Sequence, residues 1–229
     1  MAHTSINAIV AFKLKNIAYN KKRIIAPIII GSMLPDLDFI IEYIIKHFSI
    51  IQYQLQNSIF HNIFMIPLLV LLILIYSEYK EKYNLKITAL GLSIGMTFHI
   101  IFDIITLQSL GLFFPLFDSS QNFDLKEYLD INIDNNIQKI LSCFEFLFFR
   151  VYGWLLIEEI ILNPKGNSLL IKKIKLWMKL EIYIFLLSIL FIYFGMNDKQ
   201  FTNIYGILYI PSFLFALYIT YKIRKTLDQ

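Results

Sequence analysis

Metal-type side chains gather in the first half of this 229-residue chain: His3, the stretch Asp36-Leu37-Asp38, His61, and His99 followed four residues later by Asp103. Imidazole and carboxylate are the usual ligands of zinc and similar divalent ions. The chain has only four histidines, and three of them belong to this set. Residues four apart share one helix face, so His99 and Asp103 can reach one ion, or the carboxylate can orient the imidazole from behind. The plainer alternative is a hydrogen-bonded His/Asp pair that stitches two helices. An apolar neighbourhood, where ionisable groups are costly, favours the ion. Asp36 and Asp38 follow Pro35, which suits the first turn of a helix, where carboxylates are also favoured. Capping explains one Asp. Two of them, one residue apart, point to different sides, so we expect Asp36 as a ligand and Asp38 as a bridging ligand or general base. His3 and His61 draw their weight from the constellation. His47 has no such partner and reads as interfacial, and the single Cys143 excludes both an internal disulfide and a cysteine-rich metal site.

Elements that could hold these residues must cross a membrane. The chain is 57% hydrophobic with 21 Phe and 14 Tyr, and its mean hydropathy is +0.61, more apolar than a soluble core of this length requires. Apolar runs at about 59–76, 88–107, 138–162, 180–196 and 204–221 each approach the ~20 residues that span a bilayer. Two shorter runs, about 3–15 and 24–35, are expected to form a short helical hairpin turning at the basic stretch Asn16 to Arg23. The predicted fold is therefore all-α, a polytopic bundle of five to seven spanning helices in one integral membrane domain, with residues 119–229 supplying additional transmembrane helices. Met1-Ala2-His3 opens without a basic leader region, so we expect His3 to be retained.

Charge gives these runs a direction. Lys and Arg cluster in 13–23, 77–87, 163–179 and 222–229, which hold 16 of the 21 basic residues. The positive-inside rule predicts those segments in the cytoplasm. The N-terminus, segment 36–58 and the acidic 108–137 loop are then expected on the other side, with a cytoplasmic C-terminus. Every candidate ligand falls at that non-cytoplasmic boundary, although none entered the topology argument.

The same residues carry a family resemblance. Ala2-His3, Gly31-Ser-Met-Leu-Pro-Asp36-Leu-Asp38, His61 near a span start, and His99-Ile-Ile-Phe-Asp103-Ile-Ile-Thr106 with Gly111 and Phe114-Pro115 beyond it resemble the YdjM-type family of inner-membrane metal-dependent hydrolases, some of them LexA-regulated. The likeness covers about residues 1–118. The order His, Asp, His, His-x-x-x-Asp is more distantly similar to the zinc-dependent phospholipase C and P1-type nuclease group, which implies phosphoester hydrolysis. Two departures stand out: Phe39 occupies a position where the family usually has His, and Gln56-Asn57-Ser58-Ile59-Phe60-His61 replaces a His-Arg-x-x-Thr-His stretch. With these changes the resemblance implies one or two ions, zinc first among them, at His3, Asp36, Asp38, His61, His99 and Asp103. Thr106 would support them from behind. It also implies a bacterial inner-membrane location and a membrane lipid or lipid-linked phosphoester as substrate.

Other features rank lower. Gly91-Leu-Ser-Ile-Gly95 is a small-xxx-small stripe that predicts close helix packing. Glu145 and Arg150 fall within a span, and an ion pair or a link to a neighbouring helix explains them better than an added ligand or a phosphate clamp. No Gly-rich phosphate loop, nucleophile elbow or nucleic-acid motif is present, so nucleic acid is not expected as a partner. Against hydrolysis stand a transporter in which His99 and Asp103 relay protons and a membrane protein with a structural metal. An inverted repeat would favour transport, and the His/Asp pattern is not repeated in the second half.

Overall fold

The computed structural model describes residues 4–14, 23–47, 59–106, 111–113, 134–162 and 168–227. Every regular element among them is helical: α1 (Thr4–Lys13), α2 (Ile25–Met33), a 3-10 turn (Leu34–Asp36), α3 (Leu37–His47), α4 (Met65–Tyr79), α5 (Asn84–Ile105), α6 (Asn135–Leu162), α7 (Ser168–Tyr193) and α8 (Asp198–Leu227). Four of these, α5 to α8, are long and apolar enough to cross a membrane. Helix α4 is apolar but shorter, 15 residues.

The short first pair appears as expected, at 10 and 9 residues. Two boundaries differ from the sequence reading. The run 180–196 belongs to a helix that starts at Ser168, because its Lys-rich first turns are good helix formers whose charged tips can stay in the headgroup zone. The run 59–76 becomes helical only at Met65. There Asn62 accepts the Met65 N–H at 2.6 Å, satisfying one of the amides a helix start leaves free. His61 thus lies in the irregular segment before α4, and the Ile63 N–H, bonded to the Leu112 carbonyl at 3.0 Å, ties that segment to the stretch 111–113 that follows α5.

The predicted small-residue stripe is the contact that sets α2 on α5. A Cβ on Gly91 would lie 2.6 Å from the Pro27 side chain, and one on Gly95 would lie 2.6 Å from the Ser32 nitrogen, besides meeting the Ile28 carbonyl oxygen. Only glycine lets the two backbones approach this closely. That approach carries the end of α2, and with it Asp36, to the level of His99. On the opposite side α8 presents Phe201, Tyr205, Tyr209 and Phe213, all buried. Spaced four apart, they form a ladder with ring centroids 5.7, 5.5 and 5.8 Å apart.

Candidate metal centre

Each element delivers its polar residue at one end of the bundle. Asp36 closes the 3-10 turn after α2, Asp38 opens α3, His61 precedes α4, and His99 with Asp103 occupies the C-terminal half of α5. All five are buried: His99 is 0% exposed, Asp103 1%, and Asp36, Asp38 and His61 2% each. His3 lies outside the described residues.

Four of the side chains converge through their tips. His99 Nε2 lies 2.9 Å from Asp103 Oδ2, 3.3 Å from His61 Nε2 and 3.9 Å from Asp36 Oδ1, while His61 Nε2 is 3.3 Å from Asp103 Oδ2. Asp36, His61 and His99 each offer one ligand atom within 4.8 Å of the others, so this group could hold a metal ion. Asp103 sits against both imidazoles, and its second oxygen, Oδ1, has no hydrogen-bond partner.

The far nitrogens define the tautomers. His99 Nδ1 lies 2.6 Å from the Ser32 carbonyl oxygen, which can only accept, so Nδ1 carries the proton and Nε2 a lone pair. Asn7 Nδ2 lies 2.8 Å from the same nitrogen, so this tautomer requires the Asn7 amide turned over, which brings its otherwise unpartnered Oδ1 to the ring N–H. His61 Nδ1 lies 3.0 Å from Asp38 Oδ2, which by the same reasoning turns the His61 Nε2 lone pair inward. Two imidazole lone pairs and two carboxylate oxygens then face one another with no donor between them. Such an arrangement persists only if protons or a cation occupy the centre.

Asp38 is placed away from that centre. Its oxygens accept the Phe60 N–H at 3.0 and 2.8 Å and the His61 N–H at 3.3 Å as well as the His61 ring. It thereby holds the irregular segment against α3. Phe39, which stands where the resembling family has His, faces elsewhere and meets the Tyr205 and Tyr209 rings edge-on at 5.8 and 5.2 Å. Thr106 hydrogen-bonds the Phe102 and Asp103 carbonyls of its own helix, at 3.0 and 3.2 Å.

Polar residues on α1, which the sequence reading passed over, complete the surroundings. Thr4 donates to Asp36 Oδ2 and is itself hydrogen-bonded to the Tyr209 hydroxyl of α8. The Ser5 N–H donates to Glu145 Oε1 at 2.6 Å. The available signal was the run of small polar residues Thr4, Ser5 and Asn7 in an otherwise apolar helix, all buried. Glu145 therefore bonds to α1, and Arg150 donates to the Met178 carbonyl of α7 at 3.3 Å. Burial pushes the Asp36 carboxyl above the usual carboxylate range, against the opposing pull of His99.

No curated protein and no solved structure matches this chain. A family model does, that of the YdjM inner membrane protein, and the match runs over residues 2–223. It reaches well past the first half on which the resemblance was read, taking in α6, α7 and most of α8, including the Tyr209 that supports Thr4 and Asp36. With its buried His/Asp centre and apolar helices, the chain belongs to the YdjM family of inner membrane proteins.

Proposed function

We propose that this protein is a membrane-bound, metal-dependent hydrolase of a membrane-associated phosphoester, with a zinc-like divalent ion held by Asp36, His61, His99 and Asp103. The observation that carries the reading is the convergence of the inward-facing atoms: His99 Nε2 lies 2.9 to 3.9 Å from its three partners and His61 Nε2 3.3 Å from Asp103 Oδ2, with ligand atoms of Asp36, His61 and His99 all within 4.8 Å of one another. Tetrahedral coordination at ~2.0–2.1 Å separates its ligand atoms by ~3.3–3.4 Å. The donor set, two nitrogens and two carboxylate oxygens, is also one zinc accepts.

Bound there, the ion supplies Lewis acidity, lowering the pKa of water and polarising a phosphoryl oxygen. The chain's own groups do the rest. Asp38 and the Ser32 carbonyl hold the two imidazoles in the tautomer that leaves Nε2 free, as carboxylates and carbonyls behind metal-binding histidines do. Thr4 fixes the Asp36 carboxylate. Asp103, whose Oδ1 has no partner, takes the proton that the attacking water must lose. Asp38, with both oxygens engaged, acts as a positioning residue in this scheme and not as the base. The bias of basic residues supports an extracytoplasmic position for the centre. Labelling of a cysteine placed at Lys225 only from outside the cell would reverse that orientation.

A second reading is favoured by one specific observation, the burial of every ligand: a closed structural cation site. Release of phosphate or headgroup from a lipid panel by purified protein with added Zn²⁺ or Mn²⁺ separates the two. We expect turnover by the wild type and its loss in Asp103→Asn. Tight metal binding without turnover in either protein would establish the structural site instead.

A further inference from the structure

Another buried carboxyl lies outside the His/Asp centre, near the middle of α7. Glu181 is 0% exposed. One oxygen accepts the Ser212 hydroxyl of α8 at 2.6 Å, and the other, Oε2, has no hydrogen-bond partner. Beside it lies a cavity of about 420 Å³ between α7 and α8, within the size range of small-molecule sites. The two helices meet only sparingly here, and α7 is the least buried of the four long helices, so the cavity opens towards lipid.

The chemistry of the wall identifies the ligand. Leucine and isoleucine form most of it, together with Trp177 and Phe215, whose rings meet edge to face at 5.2 Å. Pro211 lies inside α8 and has no N–H to give, so the carbonyl of Ile207, one turn back, loses its helical partner. Both residues line the cavity. A carboxylate oxygen, a freed carbonyl and two aromatic faces carry negative potential towards a guest, the Trp177 Nε1–H beside the same carboxyl being an opposing donor, and aromatic faces bind organic cations where water is excluded. A plain acyl chain would satisfy the apolar wall but leave both oxygens unpaired, which is costly inside a membrane. The positive group that lines the cavity, Lys173, lies eight residues before Glu181. That is ~12 Å along the helix, with a chain long enough to carry its charge to the surface.

We propose that the cavity between α7 and α8 binds a hydrophobic organic cation, an apolar amine or quaternary ammonium, with Glu181 as its counter-ion and Trp177 and Phe215 against its face. Intramembrane carboxylates beside a cavity commonly serve as such sites. The test uses two probes of one shape and opposite charge, tetraphenylphosphonium and tetraphenylborate, titrated calorimetrically into the full-length protein in detergent. Saturable binding of the phosphonium is expected, weakened about tenfold or more in Glu181→Gln and several-fold in Phe215→Leu, with the borate binding poorly. The site is refuted if the phosphonium shows no saturable binding, if the borate binds as well, or if Glu181→Gln binds like the wild type. Should Glu181→Gln fail to fold, full affinity in both Glu181→Asp and Phe215→Leu refutes it equally. His99→Ala should bind the phosphonium normally, which keeps this outcome separate from that of the His/Asp centre.

Discussion

The His/Asp centre and the Glu181 cavity both keep carboxylates away from water, yet they are built in opposite ways. Around the centre, Asp36, Asp38 and Asp103 arrive from three separate elements towards two imidazoles, with Asp38 and the Ser32 carbonyl fixing the rings, Thr4 the Asp36 carboxylate, and backbone amides Asp38 itself. At Glu181, Ser212 is the fixed side-chain donor, and open apolar space lies beside it. A buried carboxylate survives only with a compensating charge or donor. Where the surroundings are rigid, the compensating ion must match a set geometry. Where they are loose, its size and hydrophobicity matter more.

Removing a ligand tests this contrast most severely. His99→Ala should reduce bound zinc from about one ion per chain to almost none, while Glu181→Gln keeps the wild-type metal content, both read by metal analysis of purified protein. Loss of metal in Glu181→Gln would show that the two regions are coupled and the contrast is false.

Rigidity at the centre rests on the α2–α5 contact, so the next largest effect should come from Gly95→Leu. The added side chain must push against the Ile28 carbonyl and the Ser32 nitrogen, costing ~1–3 kcal/mol or more of stability. It should also weaken metal binding by separating Asp36 from His99. Denaturation in mixed micelles measures the first, and competition with a chelator the second. A variant of normal stability and affinity would mean that the close helix approach does not set the ligand spacing.

The smallest expected effect sharpens the role of Asp38. Asp38→Asn keeps the shape of the side chain but weakens its hold on the His61 ring, and should reduce metal affinity by roughly 10–100-fold without abolishing binding. A zinc content as low as that of His99→Ala would return Asp38 to the set of direct ligands.

What could be read from the amino-acid order was whatever depends on near neighbours or on totals. Composition is enough to require a membrane, because apolar surface on this scale has no other solvent. The i,i+4 pair His99 and Asp103 and the Gly91/Gly95 stripe follow from helical periodicity alone, and the structure uses both on α5 as their spacing predicts. The hairpin of α1 and α2 was visible in its short apolar runs. Relations across long stretches of chain were not. That Asp38 lies behind His61 depends on an irregular segment folding back over α3, and no periodicity describes such a segment. That Tyr209 braces Thr4, which in turn braces Asp36, joins residues 205 apart in sequence, and the aromatic ladder carrying Tyr209 reads from sequence as plain core. Glu181 gives the same lesson: an acidic residue in a span marks a site, but only the packing of α7 on α8 decides that its partner is Ser212 and that space remains beside it. Side-chain chemistry is local, whereas the angle and depth at which one helix meets another come from the whole set of contacts between them. The side-chain types of the candidate centre were therefore legible in the chain, and their division between the centre and its supports was decided by the tertiary structure.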